Sequence, residues 1–192
     1  MKMLKNKKAL STVVTTLIIL VVAVLLATVV TFYAINVTTT RVQTEDLEAN
    51  SPHIWFNTTG SWAVAAIEIV NTGGKDVVIT SLTVRGQAVN WSSVYYYRPT
   101  TALASDLVVS TLPLNKTATA GKWTNSVNIG GTAQVLTQDT TGQITVKSGN
   151  TIVVYIMNPD SIALNDVGVT VGITAFTANA QYYKEVNVQA AQ

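Results

Sequence analysis

The hydrophobic pattern of the chain changes once, separating a long apolar segment from a β-rich remainder. The segment Leu10–Ile35 covers 26 residues that are mostly apolar or small, and no charged residue occurs from Ala9 to Thr40. Crossing a bilayer takes only ~20 helical residues. Neither glycine nor proline occurs before Pro52, so no helix breaker interrupts this region. The pattern predicts one continuous helix from Leu10 to about Leu47.

After Pro52 the pattern becomes short apolar runs separated by turn residues, which is typical of β-strands. Residues alternate from Val167 to Phe176, which predicts a half-buried strand with its three valines, Ile173 and Ala175 on one face. The nearly continuous apolar run Thr151–Asn158 predicts a central strand. Further strands are predicted at Ala63–Gly74, Asp76–Gly86 and Ser92–Arg98.

Turn signals such as Gly130-Gly131 and Asn158-Pro159 separate these strands. About seven to nine short strands at this spacing predict a sandwich or barrel-like domain of the Ig type. Between Thr100 and Thr141 the chain is rich in Thr, Ala and Asn, and we expect loops and one hairpin there. The predicted fold class is α+β, with a long hydrophobic N-terminal α-helix followed by an all-β Ig-like sandwich or barrel.

Charge is concentrated at the N-terminus. Lys2, Lys5, Lys7 and Lys8 precede the apolar segment, and without them the net charge falls from +2 to −2. By the positive-inside rule these lysines predict a cytoplasmic N-terminus. The rest of the chain shows no basic face, so nucleic acid is not predicted as a partner.

The residues available for chemistry are few. The chain has no cysteine, which excludes disulfides, thiolate zinc sites and iron–sulfur clusters. Its single histidine, His53, is predicted to be structural, because one histidine without clustered carboxylates does not make a usual zinc site. The stretch Asp139–Gly142, with sequence DTTG, is predicted to be a turn. We therefore predict no metal, no cofactor and no catalytic activity.

The stretch Lys8-Ala9-Leu10-Ser11 resembles the prepilin-peptidase site of archaeal class III signal peptides. That site has a charged residue, then Gly or Ala, then two residues of which the first is usually apolar. The resemblance is to archaeal type IV pilins and the related archaellins, over the first ~48 residues in sequence and over the rest in architecture alone. Val14 takes the position at which many bacterial pilins carry Glu, and a Gln-rich motif of one archaeal group is absent, so the subfamily stays open.

The resemblance implies cleavage after Ala9 and three parts of the chain: leader 1–9, transmembrane and assembly helix 10–48, and outer β-sandwich domain 49–192. It implies a subunit of an extracellular adhesive filament with a membrane-inserted precursor. Expected partners are copies of the chain in a helical polymer, the prepilin peptidase, an assembly ATPase with its platform, and the membrane before assembly. The residues expected to pack in the filament are Leu10, Val14, Leu17, Leu20, Val24, Leu25, Val29 and Phe32.

Three alternatives remain at this point. The chain could be the archaellin of a motility filament, since both kinds of filament share this design. It could also be an unassembled single-pass surface protein, with a β-sandwich binding module on a stalk, which would keep its leader. An exported enzyme is the third alternative, although the chain offers one histidine, no cysteine and scattered carboxylates.

Four asparagines begin N-x-S/T sequons, about the number expected by chance in a chain so rich in Ser and Thr. They are Asn36, Asn57, Asn90 and Asn115. Export would make each a candidate N-glycosylation site. Asn36 would lie just outside the membrane or inside a filament core, where a glycan would not fit, so the other three are preferred.

Side chains near the end of the predicted helix and on the strands carry further expectations. Glu45, Asp46 and Glu48 are expected either to be solvated or to pair with Arg41 or with a basic residue of a neighbouring subunit. The threonines of the apolar segment can bond to their own backbone or to a neighbouring helix. Tyr95 and Tyr97 should face opposite to Tyr96, which leaves either core packing or an exposed aromatic surface.

Overall fold

The structure is a computed structural model, and it describes residues 7–42, 44–100, 103, 106–107 and 126–191. Within these ranges it describes the backbone but not the side chains of residues 7–10, 41–42 and 126. The chain divides into two compact units, Met1–Gln43 and Thr44–Gln192. The first contains one long apolar helix and the second is mostly β, so the α+β class is confirmed at this level.

Helix α1 covers Lys7–Val42, which is 36 residues and ~54 Å at 1.5 Å per residue. It begins three residues before the predicted start at Leu10. The prediction that it continues to about Leu47 is wrong, because Leu47 begins the first strand and its side chain is buried in the β domain. The boundary between the units therefore follows Gln43 and not residue 48.

The β domain has the following strands and short 3₁₀ helices in the described residues. The strands are β1 (Leu47–Asn57), β2 (Trp62–Asn71), β3 (Val77–Val84), β4 (Gln87–Ala88), β5 (Val94–Tyr97), β6 (Ser126–Ile129), β7 (Thr132–Val135), β8 (Thr137–Gln138), β9 (Ile144–Val146), β10 (Thr151–Met157), β11 (Thr170–Thr177) and β12 (Gln181–Ala191). The 3₁₀ helices are Trp91–Ser93 and Leu164–Asp166.

The main sheet has the order β4-β3-β11-β12-β1-β2-β10-β5-β8, with β9 also paired to β3. It curls into a half-barrel. Pairing is antiparallel except between β1 and β12, which run parallel from Ile54↔Val188 to Asn57↔Ala191. The strand β1 is thus interior to the sheet, bonded to β2 along most of its length and to β12 over its second half.

Two hydrophobic cores lie on the two faces of the curled sheet. The core inside the curl joins β2 and β10 to β3, β9 and β11, and it includes Ile67, Ile79, Leu82, Ile144 and Ile173. The second core lies on the opposite face of β1, β2, β10 and β5, where it meets the β6–β7 hairpin, and it includes Trp55, Val127, Leu136 and Tyr155. A strand between two cores must be apolar on both faces, which explains the continuous apolar run of β10.

Several predicted strands are confirmed. The central position of Thr151–Asn158 is confirmed, since β10 lies between β2 and β5 and is buried on both faces. Alternation in β11 is confirmed from Val171 to Ala175, since Val171, Ile173 and Ala175 are buried and the residues between them are less so. Val167 and Val169, predicted to lie on the same buried face, are 37% and 41% exposed because the strand begins only at Thr170. The predicted hairpin is β6–β7, which turns at Gly130-Gly131, while most of residues 101–125 lie outside the described part of the chain.

The turn after β2 is fixed by a fully buried asparagine. The Asn71 side chain donates from Nδ2 to the carbonyl oxygens of Lys75 at 2.8 Å and Val146 at 3.0 Å. Its Oδ1 accepts from the backbone N–H of Gly73 at 3.0 Å. One amide therefore bonds three backbone groups, two of them through buried hydrogen bonds, and it ties the β2–β3 turn to β9.

We predict that Asn71→Ala lowers the free energy of unfolding by about 2–4 kcal/mol, because it leaves buried backbone groups without partners. The control is Asn150→Ala, which removes an exposed amide from a neighbouring turn and should change stability by no more than about 0.5 kcal/mol. All four tryptophans lie in the β domain, so urea unfolding in detergent can be followed by their fluorescence. Equal losses of unfolding free energy in Asn71→Ala and Asn150→Ala would contradict the role given to Asn71.

Candidate functional site

The surface that distinguishes this chain is the apolar surface of α1, which covers the full circumference of the helix. Every residue from Ser11 to Thr40 is exposed, and none of this segment is buried in the structure. Its apolar side chains are not confined to one stripe. A helix that is hydrophobic on all sides needs an apolar environment on all sides. By length and composition, Ser11–Thr40 could cross a membrane as an anchor or form part of a signal sequence.

The residues expected to pack in a filament are all exposed where their side chains are described. The exposed fractions are Val14 51%, Leu17 61%, Leu20 64%, Val24 57%, Leu25 60%, Val29 65% and Phe32 71%. Leu10 lies on the helix, but its side chain is outside the described set. These side chains form a continuous surface that is available to lipid or to other helices.

Threonine hydroxyls do not make this surface polar, because the helix satisfies them itself. Seven of them donate to the carbonyl oxygen three or four residues earlier, at 2.6–2.9 Å. They belong to Thr15, Thr16, Thr28, Thr31, Thr38, Thr39 and Thr40. Of the two expectations, bonding to the helix's own backbone is therefore the one seen in the single chain. Such threonines can enter an apolar medium without an unsatisfied donor.

The proposed cleavage residues Lys8, Ala9 and Leu10 lie in the first turn of α1. No acidic residue occurs in that turn, and cations at a helix N-terminus oppose the helix dipole. The lysines are thus not explained by helix stability. Removing residues 1–9 would leave α1 from Leu10 to Val42, still ~50 Å long.

Immediately after α1, the chain from Thr44 to Asp46 is bound to the β2–β3 turn. The backbone N–H groups of Thr72 and Gly73 donate to Asp46 O at 3.0 Å, and Gly74 N donates to Thr44 O at 3.1 Å. A Cβ atom on Gly73 would lie 2.6 Å from Thr44 O and 2.7 Å from Asp46 N. Only glycine allows the turn to approach this segment so closely. We call Thr44–Asp46 the junction segment.

Glu45 fastens the junction segment to the β11–β12 turn. Its carboxylate accepts hydrogen bonds from the Thr177 hydroxyl and from Asn179 Nδ2, the latter at 2.8 Å, and Lys75 Nζ lies 3.5 Å away. The side chain is 7% exposed. Burial opposes ionisation, but the hydrogen bonds and Lys75 outweigh it and lower the pKa of Glu45 below its ordinary value of 4.5. The carboxylate is therefore charged when it holds the junction.

This arrangement corrects the expectation of a solvated acidic cluster for Glu45 alone, since Asp46 and Glu48 are exposed. Glu45 is enclosed by the β domain, and its cationic partner among the described side chains is Lys75. Arg41, the predicted partner, has no described side chain. Asp46 accepts from the Thr72 hydroxyl at 3.0 Å, while Glu48 is exposed and raises the pKa of Glu68 in addition to the effect of burial there.

The sequons differ in what their side chains do. In Asn90-Trp91-Ser92, both the N–H and the hydroxyl of Ser92 donate to Asn90 Oδ1 at 3.0 Å, and Asn90 is exposed. Asn57 accepts from Gly60 N at 2.6 Å and is partly buried. Asn36 is exposed on α1, but its sequon hydroxyl, on Thr38, donates to Ala34 O. Asn115 lies outside the described residues. Asn90 is therefore the most accessible sequon in the described β domain.

His53 and the DTTG stretch, the candidates for metal binding or catalysis, make contacts within the fold. His53 Nε2 lies 2.8 Å from Asp106 Oδ1, and its ring stacks on Trp55 with centroids 5.0 Å apart. Asp139 accepts from Thr141 and from Gly142 N, so the DTTG stretch forms the predicted turn. No cluster of three or more metal-ligating side chains occurs among the residues that the structure describes.

The three neighbouring tyrosines separate as predicted. Tyr95 and Tyr97 pack on the second core, whereas Tyr96 packs on the core inside the curl. Arg98 lies over the Tyr96 ring at 5.0 Å and donates to Thr145 O at 2.9 Å. Core packing, and not an exposed aromatic surface, accounts for these side chains.

Sequence reasoning missed strand β1 and the bonds of Glu45. The alternation in β1 is interrupted between Asn50 and His53, where the pairing register shifts and Ser51 has a φ of 43°. Two partners of Glu45, Thr177 and Asn179, are more than 130 residues further along the chain. The sequence signal available was the acidic Glu45, which stands two positions before the buried Leu47.

We predict that Glu45→Gln destabilises the β domain near neutral pH by about 1–3 kcal/mol, because hydrogen bonds to a charged group are lost or weakened. Since the folded-state pKa of Glu45 is lowered, its contribution is fully present above pH ~4.5 and is lost as the pH falls through the folded pKa. The difference in free energy of unfolding between the wild type and Glu45→Gln should therefore narrow below that pH. Tryptophan-monitored urea unfolding at several pH values measures it.

The matched control for this prediction is Asp160→Asn, which neutralises an exposed carboxylate. It should leave the pH dependence of unfolding close to that of the wild type. If the loss of unfolding free energy caused by Glu45→Gln stays constant as the pH is lowered, the charge of Glu45 does not hold the junction segment.

No protein-family model matches the chain, and no curated protein matches it. The function is therefore inferred from α1, the junction segment and the β domain themselves.

Proposed function

We propose that the chain is the structural subunit of an extracellular type IV pilus-like filament that attaches cells to surfaces. The observation that carries the proposal is α1, which is exposed and apolar around its circumference from Ser11 to Thr40. The subunit polymerises by packing this helix against copies of itself. The β domain, as an Ig-like outer domain, forms the surface of the polymer. Neither a cofactor nor catalysis is needed for this role.

Length favours a polymer over a lone anchor. The segment Ser11–Thr40 has 30 residues, or ~45 Å of helix, whereas a bilayer core is ~30 Å thick. A lone anchor would leave its outer part in water, including the exposed side chains of Phe32, Ile35 and Val37. Leaving such side chains exposed forgoes about 1.5–3 kcal/mol each. A bundle of sister helices covers the whole length.

The proposed path begins in the membrane, with the lysines of the leader on the cytoplasmic side. A prepilin peptidase cuts after Ala9, which removes the leader and keeps the apolar helix. An assembly ATPase and its platform then move the subunit from lipid into the growing filament. Copies added head to tail, without closure of the ring, give a fibre.

Two other functions use the same helix. An archaellin would assemble in the same way into a motility filament. A single-pass surface protein would keep α1 in the membrane, and its satisfied threonines fit lipid as well as sister helices.

We predict that the mature subunit begins at Leu10 and occurs in filaments. N-terminal sequencing or mass spectrometry of the cell-surface protein, together with electron microscopy of sheared material, tests both statements. An intact Met1 or Lys2 on the surface protein would rule out the filament proposal and support the single-pass anchor. Loss of swimming without loss of attachment in a deletion strain would favour the archaellin.

We predict that Ile35→Asp abolishes or strongly reduces filaments while leaving membrane insertion and leader removal unchanged. Ile35 is 61% exposed and lies beyond the ~20 residues that span the bilayer from Leu10, so a charge there meets water in the precursor but an apolar bundle in the polymer. Ile35→Val is the control and should assemble normally. Wild-type filament yield from Ile35→Asp would show that the outer part of α1 is not packed.

A further inference from the structure

Two cations of the β domain line one surface cavity. Arg98 directly follows β5 and Lys147 directly follows β9, and both line a cavity of about 190 Å³. The other lining residues are Thr145, Val146, Asn150, Thr151 and Ile152. No acidic side chain is among the described residues that line it. We call this space the Arg98 cavity.

The cations of this cavity are unpaired in a domain that is acidic as a whole. The β domain has seven lysines and arginines against ten acidic residues, which gives a net charge of −3. Elsewhere its cations pair with carboxylates: Lys75 Nζ lies 3.5 Å from Glu45. Arg85 Nη1 lies 2.7 Å from Asp166. Neither cation of the Arg98 cavity has a carboxylate oxygen within 4.0 Å among the described residues. Their charge is therefore open to an ion from solution.

The guanidinium of Arg98 is held by two strands of the sheet. Its Nη2 donates to Thr145 O in β9 at 2.9 Å, and its Cζ lies 5.0 Å from the centre of the Tyr96 ring in β5. Arginine has five N–H donors, and the bond to Thr145 is the one hydrogen bond that this side chain makes among the described residues. The remaining donors form part of a planar fork that matches two oxygens of a carboxylate, sulfate or phosphate group.

The backbone of the turn that carries Lys147 is also fixed. Gly149 N donates to the carbonyl oxygen of the buried Asn71 at 2.9 Å. Ser148 N donates to Asp76 Oδ1 at 3.0 Å, so this neighbouring carboxylate is bonded to the turn and does not line the cavity. Binding therefore requires ordering of the exposed Lys147 side chain but not of the backbone around it, which lowers its entropic cost.

The size and lining of the cavity restrict the class of ligand. A water molecule occupies ~30 Å³ in the liquid, so the cavity has room for a charged group of a few heavy atoms with some of its water. Pockets for drug-sized molecules are larger, ~300–1,000 Å³. The hydroxyls of Thr145 and Thr151 and the amide of Asn150 also line it, and such groups bond anion oxygens and sugar hydroxyls alike.

We propose that the Arg98 cavity binds an oxyanion group, with the fork of Arg98 as its main contact and Lys147 as the second positive charge. The oxyanion is a carboxylate, sulfate or phosphate group, which belongs either to a free ion or to an acidic sugar. The inference uses the β domain alone and does not depend on a filament. If filaments form, one such cavity in each subunit would give many weak sites for an acidic polysaccharide, whose combined affinity exceeds that of a single site.

The test titrates the full chain, dispersed in a nonionic polyoxyethylene detergent, with inorganic phosphate, sulfate, glucuronate and uncharged glucose. Binding is measured from the NMR shifts of backbone amides that line the cavity, such as those of Thr145 and Asn150. We expect saturable shifts with at least one of the three anions and none with glucose. Glucuronate binding tighter than phosphate and sulfate would identify an acidic sugar as the ligand, and the reverse order would identify a free ion. No saturable shift with any anion, or an equal shift with glucose, would overturn the proposal.

Variants assign the binding to these side chains. Arg98→Gln should weaken anion binding about tenfold, equivalent to ~1.4 kcal/mol, and Arg98→Lys should weaken it less because the charge remains. The matched control is Lys184→Gln, which removes one exposed positive charge from β12, outside the cavity. It should bind like the wild type. Equal weakening in Arg98→Gln and Lys184→Gln would show an effect of net charge alone and would overturn the proposal.

A further variant guards against misfolding, and the results separate the two proposals. Lys147→Gln changes an exposed side chain, so its amide spectrum and urea unfolding should match the wild type while its anion affinity falls. An unchanged affinity in both Lys147→Gln and Arg98→Gln would overturn the assignment of the site. A chain that binds anions but forms no polymer would remove the filament proposal alone. Filaments whose subunits bind no anion would remove the Arg98 cavity proposal alone.

Discussion

The constraint on which the rest depends is that α1 cannot remain in water. Its apolar side chains occupy all sides, and its threonine hydroxyls are already satisfied by the helix. Amphipathic helices solve this problem by packing one stripe on their own domain, but this helix has no polar side to leave outside. Its environment must come from other molecules, first lipid and, on our proposal, copies of the same helix. The β domain, in contrast, has two hydrophobic cores of its own.

The junction segment orders the start of the β domain directly after α1. A loose segment before Leu47 would leave the first strand of the β domain free to fray. Here Thr44–Asp46 is bonded to the β2–β3 turn through its backbone and to the β11–β12 turn through Glu45. Order in the β domain thus begins within two residues of the end of α1 at Val42. One charged carboxylate joins the start of the domain to its last hairpin.

Sequence alone was sufficient for the features that depend on composition. The helix followed from its uninterrupted apolar run, and the central strand β10 from apolar residues on both faces. The end of the helix did not follow, because it is set by bonds from Thr44 and Asp46 to a turn nearly thirty residues away. Strand β1 was missed since the bulge before His53 breaks its alternation. Asp166, at the end of the second 3₁₀ helix, and its partner Arg85 are 81 residues apart, so no local pattern could pair them.

The position of β1 has a mechanical consequence. Tension on a fibre would reach the β domain through the N-terminal end of β1, which lies inside the sheet and not at its edge. A pull along the axis of this strand shears it against β2, so that the bonds within each ladder segment, Leu47–Asn50 and His53–Asn57, resist together instead of opening one after another. An edge strand pulled sideways would unzip at much lower force. On our proposal of a filament, the fold would therefore receive this load at a strand that is paired on both sides.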